Sequence, residues 1–75
     1  MAPFTAKLLL KCFEPAAKEE ISPVEAYRSC WNMLKRNKTV SALGEGELAL
    51  SLALDIKSYT VKEIDITCKV LKNLI

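Results

Sequence analysis

The sequence predicts an all-α fold, a small bundle of three or four short helices in one domain that spans residues 1–75. Two helix start signals support this prediction, because Ser22 and Thr60 are each followed three residues later by a glutamate, Glu25 and Glu63. In such a capping box the hydroxyl oxygen accepts from a backbone N–H of the first turn, while the glutamate reaches back to the N-cap N–H. Apolar residues at steps of three and four follow both signals, which is helical spacing.

The amino-terminal segment from Thr5 to Phe13 fits either a short helix or a strand, because some of its apolar residues alternate and others are four apart. We expect this segment to end by Pro15, since the residue before a proline is disfavoured in the helical conformation. A polar connector over residues 16–21 should then lead to the next element.

The most clearly predicted helix begins at Pro23, whose missing N–H costs nothing in the first turn. Apolar residues follow at steps of three, four and three: Val24, Tyr27, Trp31 and Leu34. This spacing places them on one face of a helix that also carries basic residues in its last turn, where they suit the negative end of the helix dipole. Trp31 is therefore expected either in the core or as an anchor of an interface.

Residues 47–57 carry conflicting signals. Their apolar residues alternate, as in a half-buried strand, yet leucine and alanine dominate and are strong helix formers. The polar residues form one narrow helical stripe, so we predict a helix that is apolar on nearly all sides and is buried in the middle of the bundle. Gly44 and Gly46 break the chain just before this helix.

Residues 60–75 show the same conflict, because many of them are β-branched and favour a strand. The longer pattern decides for a helix, with apolar residues at steps of three, four, three and four: Val61, Ile64, Cys68, Leu71 and Ile75. The alternative is an α+β fold, in which residues 47–57 and 61–70 form a hairpin packed on the helix that begins at Pro23.

The residues that carry catalytic and metal-binding chemistry are scarce. The chain contains no histidine, which excludes Ser-His-Asp and Cys-His arrangements and imidazole zinc sites. The three cysteines, Cys12, Cys30 and Cys68, lack the spacing of a disulfide framework or a redox motif. We therefore expect a non-enzymatic protein without metal or cofactor, whose free thiols indicate a reducing intracellular compartment, the cytoplasm or the nucleus.

The composition favours a protein that binds protein. Hydrophobic residues make up 51% of the chain and charged residues 27%, and a domain of this length buries only about 60% of its unfolded surface. We expect the chain to bind itself or another protein, by self-association or as a small subunit of a larger assembly, through apolar helix faces. The predicted interface residues are Trp31, Leu50, Leu54, Leu71, Leu74 and Ile75.

The alternative function is binding of nucleic acid, duplex RNA above all, by shape rather than by sequence. Its predicted contacts are Arg28, Lys35, Arg36 and Lys38, although the net charge of +2 is too small to indicate nucleic acid by itself. A third hypothesis is peripheral membrane attachment by the segment from Phe4 to Phe13. No stable membrane insertion is expected, because no apolar run is long enough to span a bilayer.

Overall fold

The computed structural model describes all 75 residues and confirms the all-α bundle. It contains five helices and no strand, so the hairpin alternative is wrong. One helix exceeds the predicted number because residues 38–42 form a single helical turn that the sequence pattern did not indicate. The helices are α1 (Pro3–Ala17), α2 (Pro23–Arg36), α3 (Lys38–Ala42), α4 (Gly46–Ile56) and α5 (Val61–Lys72).

Helix α1 continues through Pro15 to Ala17, so the prediction that the element ends by this proline is wrong. Pro15 lies near the end of α1, so the loss of its N–H and the bulk of its ring disturb only the last turn of the helix. Ala16 lies beyond the proline and is fully buried, and the Glu20 N–H donates to the Pro15 carbonyl at 2.9 Å. Tertiary packing and this hydrogen bond hold the last turn, and Glu19, with a φ of 61°, takes the left-handed conformation just after it.

Both capping boxes form as predicted. The Glu25 N–H donates to the Ser22 hydroxyl at 3.2 Å, and the Ser22 N–H donates to the Glu25 carboxylate at 3.3 Å. At α5 the Glu63 N–H donates to the Thr60 hydroxyl at 3.2 Å, and the Thr60 N–H donates to the Glu63 carboxylate at 2.9 Å. These bonds fix where α2 and α5 begin.

Helix α1 lies at the centre of the bundle and packs against α2, α4 and α5. Its residues Leu9 and Phe13 are fully buried. These three helices surround it, and α2 also packs along α4. The radius of gyration is 11.1 Å, close to the value of about 11 Å expected for a compact chain of this length.

Helix α4 is not buried in the middle of the bundle, contrary to the prediction from its apolar sequence. It packs on its neighbours through Ala49, Ala53 and Ile56, which are fully buried. Leu48 and Leu54 lie outside this contact and are 54% and 43% exposed. Alanine permits a close approach of the helix backbones, and the bulky leucines remain on its flanks.

Candidate protein interaction surface

Apolar surface is left uncovered on several helices. Large hydrophobic side chains that are exposed occur on every helix except the single turn α3: Phe4, Val24, Leu48, Leu54, Ile66 and Val70, joined by Leu43, Leu74 and Ile75 outside the helices. Single exposed apolar residues are normal, but contiguous ones indicate an interaction site. Two groups of these residues are contiguous, one on α5 and one along α2 and α4.

The first group, which we call the α5 face, consists of Ile66, Val70 and Leu74. These residues follow one another at steps of four, and Ile66 and Val70 are 52% and 56% exposed. The opposite side of α5, which includes Ile64, packs on α1 and leaves the α5 face open. The α5 face is therefore a continuous apolar strip along the outside of the bundle.

The residues predicted as an interface near the carboxyl end separate in the structure. Leu74 and Ile75 are exposed beyond the last turn of α5, and Leu74 extends the α5 face. Leu71 is 2% exposed and belongs to the core, where it packs with Ile64 and Cys68. A partner docking on this fold therefore does not reach Leu71, because the side chain is already covered within the chain.

On α2 the buried side is rotated relative to the predicted stripe. Ala26, Cys30 and Leu34 are buried, while Tyr27 and Trp31 are half-buried and Val24 is exposed. Small residues at positions 26 and 30 let α2 lie close to its neighbours, which moves the two aromatic rings to the edge of the contact. Tyr27 still packs against the core, whereas Trp31 is half-buried beside the Tyr27 ring and keeps an accessible side.

The two aromatic rings are fixed between two lysines. The Tyr27 and Trp31 ring centroids are 5.7 Å apart, with an interplanar angle of 50°. Lys35 places its Nζ 5.7 Å from the Trp31 centroid, and Lys57, which follows α4, places its Nζ 5.0 Å from the Tyr27 centroid. Each such cation–π contact contributes about 0.5–1 kcal/mol at an exposed site. The contacts order this surface and tie the end of α4 to α2.

Helix α4 carries the two leucines predicted as interface residues, packs along α2 and is followed by Lys57, which contacts the Tyr27 ring. Leu54 is exposed and precedes Lys57 by three residues, which places both on one side of α4. Leu50 is half-buried and packs against the core one turn earlier. We call this second group the α2–α4 face; it consists of Val24, Tyr27, Trp31, Leu50 and Leu54, with the lysines Lys35 and Lys57 at its edge.

The four basic residues predicted to contact nucleic acid are all exposed and form no ion pair: Arg28, Lys35, Arg36 and Lys38. Arg28 and Lys35 are seven residues apart and therefore share one side of α2. They border the α2–α4 face, whereas Lys38 belongs to α3. The aromatic residues and two of the four basic residues thus lie next to each other, an arrangement that the sequence pattern did not indicate.

The segment considered for peripheral membrane attachment is largely part of the core. Phe4 is 42% exposed, but Leu9, Leu10 and Phe13 are buried. Most of the apolar area of this segment is therefore covered in the folded chain. None of the five helices has the length and apolar character needed to cross a membrane.

Glu45 makes the hydrogen bonds of longest range in the sequence, which the sequence did not reveal. Its carboxylate accepts from the Ala2 N–H at 2.7 Å and from the Thr5 hydroxyl, and the Met1 ammonium lies 3.8 Å away. The Thr5 hydrogen bond is the main cause that lowers the pKa of the Glu45 carboxyl. Glu45 thereby fastens the start of α1 to the turn before α4.

The three cysteines are free thiols. Cys12 on α1 and Cys30 on α2 lie close enough for their thiols to interact, and this hydrogen bond together with burial raises the pKa of Cys30. Burial is the main cause that raises the pKa of Cys68. The thiols of Cys30 and Cys68 are therefore protonated at neutral pH and pack as small apolar groups.

The structure shows no cavity and no cluster of three or more residues suited to hold a metal ion. Comparisons of the chain with models of protein families, with curated proteins and with solved structures each found no match. The candidate site therefore rests on the geometry of the α5 face and the α2–α4 face.

Proposed function

We propose that this protein is a non-enzymatic interaction module that self-associates or serves as a small subunit of a larger assembly. The observation that carries the proposal is the α5 face, where Ile66 and Val70 are 52% and 56% exposed and no other helix covers them. The α2–α4 face, with Trp31 at its edge, supplies a second surface of the composition found at interaction hot spots.

The mechanism is burial of these apolar side chains against a partner. Complete burial of an isoleucine or leucine contributes about 1.5–3 kcal/mol, so side chains that are already half covered contribute about 1 kcal/mol each. A two-fold contact through the α5 face would bury Ile66, Val70 and Leu74 from each copy and gain about 6 kcal/mol. Association costs at least about 4 kcal/mol, so self-association through this face alone is weak and depends on concentration.

The test is the mass in solution, measured by sedimentation equilibrium from micromolar to millimolar concentration. We expect the mass of the wild-type protein to rise with concentration, and the double variant Ile66→Glu with Val70→Glu to remain a monomer. The matched control adds the same two charges at the exposed polar residues Ser29 and Ser51 and should associate like the wild type. A wild-type monomer at every concentration that also binds no apolar dye would contradict self-association.

Duplex RNA binding is the second candidate function, and one observation favours it. The four exposed cations, Arg28, Lys35, Arg36 and Lys38, have no carboxylate partner, so they are free to neutralise phosphates. Repeating the mass measurement with a short RNA duplex tests this candidate. If the protein binds duplex RNA, the affinity of the complex should fall steeply with salt and be lost when Lys35 and Arg36 are changed to glutamate. Equal mass with and without the duplex at low salt would exclude it.

The free thiols support a proposal about location as well. Cys30 and Cys68 are buried as protonated thiols, and no disulfide holds the fold together. A fold of this kind suits a reducing compartment, so we propose the cytoplasm or the nucleus.

A further inference from the structure

We propose that the α2–α4 face binds an amphipathic helix of a partner protein whose apolar ridge is flanked by aspartate and glutamate side chains. This inference rests on the proposed function, because it names the partner chemistry of one of the two faces described above. It is carried by the apolar spacing on α2, by unpaired cations around the rings and by the two lysine ammonium groups that lie over the rings.

The apolar residues of this face match the length and spacing of a helix. Val24, Tyr27 and Trp31 follow at steps of three and four along α2 and span about 10 Å, two helical turns. Leu54 adds an aliphatic side chain on the adjacent helix α4. An incoming helix docks with anchors at the same intervals, so its apolar ridge fits along α2 beside α4.

The charges on this face select an acidic partner. Lys35 and Lys57 hold their ammonium groups near the two rings, and Arg28 lies on the same side of α2 as Lys35. None of these three cations has a carboxylate within ion-pair distance. Carboxylates on both flanks of a docked helix would pair with them, which speeds association and sets the orientation of the helix.

The rings are poorly placed to bind nucleic acid by stacking. Each ring has one lysine ammonium near it and the other ring 5.7 Å away. A base needs an open aromatic face on which to stack. The aliphatic side chains of Val24 and Leu54 carry no group that could form a hydrogen bond with a base. These contacts favour a protein ligand over a nucleic acid.

A second copy of the chain is also a poor occupant of this face. The other exposed apolar strip, the α5 face, belongs to a helix with three lysines, Lys62, Lys69 and Lys72, against two carboxylates, Glu63 and Asp65. Both carboxylates are already engaged, because Asp65 pairs with Lys69 at 3.2 Å and Glu63 accepts from the Thr60 N–H. Docking this helix here would therefore offer Lys35 and Lys57 no free acidic group to pair with. The partner of the α2–α4 face should therefore be a different protein.

The experiment is a display selection on the full-length protein. The probe is a library of helical peptides with three fixed apolar anchors at steps of three or four and with random flanking positions. We expect aspartate and glutamate to be enriched at the flanks. The enriched peptide should bind the double variant Lys35→Glu with Lys57→Glu at least about tenfold more weakly, since two attractive charge pairs become repulsive.

The matched control changes the exposed lysines Lys7 and Lys11 on α1 to glutamate, with the same change in net charge. Affinity for the peptide should stay within about twofold of the wild type. No enrichment, neutral or basic flanks, or an equal loss of affinity in both variants would overturn the inference. So would displacement of the peptide by an RNA duplex or a single-stranded oligonucleotide, which would assign the face to nucleic acid.

These outcomes also separate this inference from the proposed function. If the mass rises with concentration but no acidic peptide is selected, self-association is supported and the proposal of an acidic partner is wrong. If the protein stays a monomer but binds an acidic peptide through Lys35 and Lys57, the proposal of self-association is wrong and that of an acidic partner is supported. Failure of both measurements removes the interaction module altogether.

Discussion

Glu45 performs at the start of α1 the role that Glu25 and Glu63 perform in the capping boxes of α2 and α5, because each accepts from the N–H of the N-cap residue. The N-cap residue of α1 is Ala2, which has no side chain able to accept a hydrogen bond. The Glu45 carboxylate accepts from the Ala2 N–H and from the Thr5 hydroxyl instead, and its negative charge lies near the positive end of the α1 dipole. One side chain thus replaces the glutamate of a capping box and joins the first turn of α1 to the turn before α4.

We expect the stability of the fold to depend on the ionisation of Glu45. Because the pKa of Glu45 is lower in the folded chain than in the unfolded chain, its contribution is complete above the unfolded pKa and is lost as the pH falls through the folded pKa. Urea unfolding at neutral and at acidic pH should show this loss for the wild type. Glu45→Gln should be less stable than the wild type at neutral pH and lose less on acidification.

Glu47→Gln is the control for this prediction. Glu47 is exposed in the first turn of α4 and makes no side-chain hydrogen bond or ion pair that fastens α1. Its pH dependence of unfolding should resemble that of the wild type. If Glu45→Gln and Glu47→Gln gave the same unfolding curves at both pH values, the connection through Glu45 would contribute nothing to stability.

At the scale of the helices, the local signals predicted the structure best. A capping box connects residues three apart, so Ser22 and Thr60 identified the starts of α2 and α5 without knowledge of the rest of the fold. The start of α1 depends on Glu45, which is distant in sequence. No sequence pattern signals such a contact, because no regular spacing relates Glu45 to Ala2 or Thr5.

The buried face of α4 could not be predicted for a related reason. A helix that is apolar on nearly all sides has no amphipathic pattern to orient it, so the size of its side chains determines which face is buried. Ala49 and Ala53 face the bundle and Leu54 faces outward. The same effect on α2 moved Trp31 to the edge, where its neighbour Tyr27 meets Lys57, a residue that follows α4.

We therefore expect α4 to tolerate changes of side-chain size on its exposed face but not on the face that packs against the bundle. Ala53→Leu inserts three carbons into a close helix contact and should destabilise the fold by about 1–3 kcal/mol. Leu54→Ala removes a side chain that is 43% exposed and should cost clearly less. Guanidinium unfolding of both variants measures the difference. A larger loss for Leu54→Ala would mean that α4 packs through its leucines.

For the whole molecule, the exposed surface shows how little core this chain builds. Its accessible surface is 4689 Å² and 16 of its 75 residues are buried. This area is close to the roughly 4600 Å² expected for a folded monomer of its mass, so about 60% of the unfolded surface is removed from water. The folded chain is thus compact with a small core, and its stability depends on a few central residues.

Phe13 is the largest fully buried side chain and lies on α1, the helix that contacts three of the other four. Replacing it by alanine should cost about 3–5 kcal/mol, whereas a domain of 75 residues has a total stability of about 4–11 kcal/mol. Phe13→Ala should therefore melt at least about 12 °C below the wild type in a thermal melt followed by circular dichroism. Phe13→Leu, which keeps most of the volume, should melt cooperatively at a moderately lower temperature. If Phe13→Ala melted within a few degrees of the wild type, α1 would not be the centre on which the other helices depend.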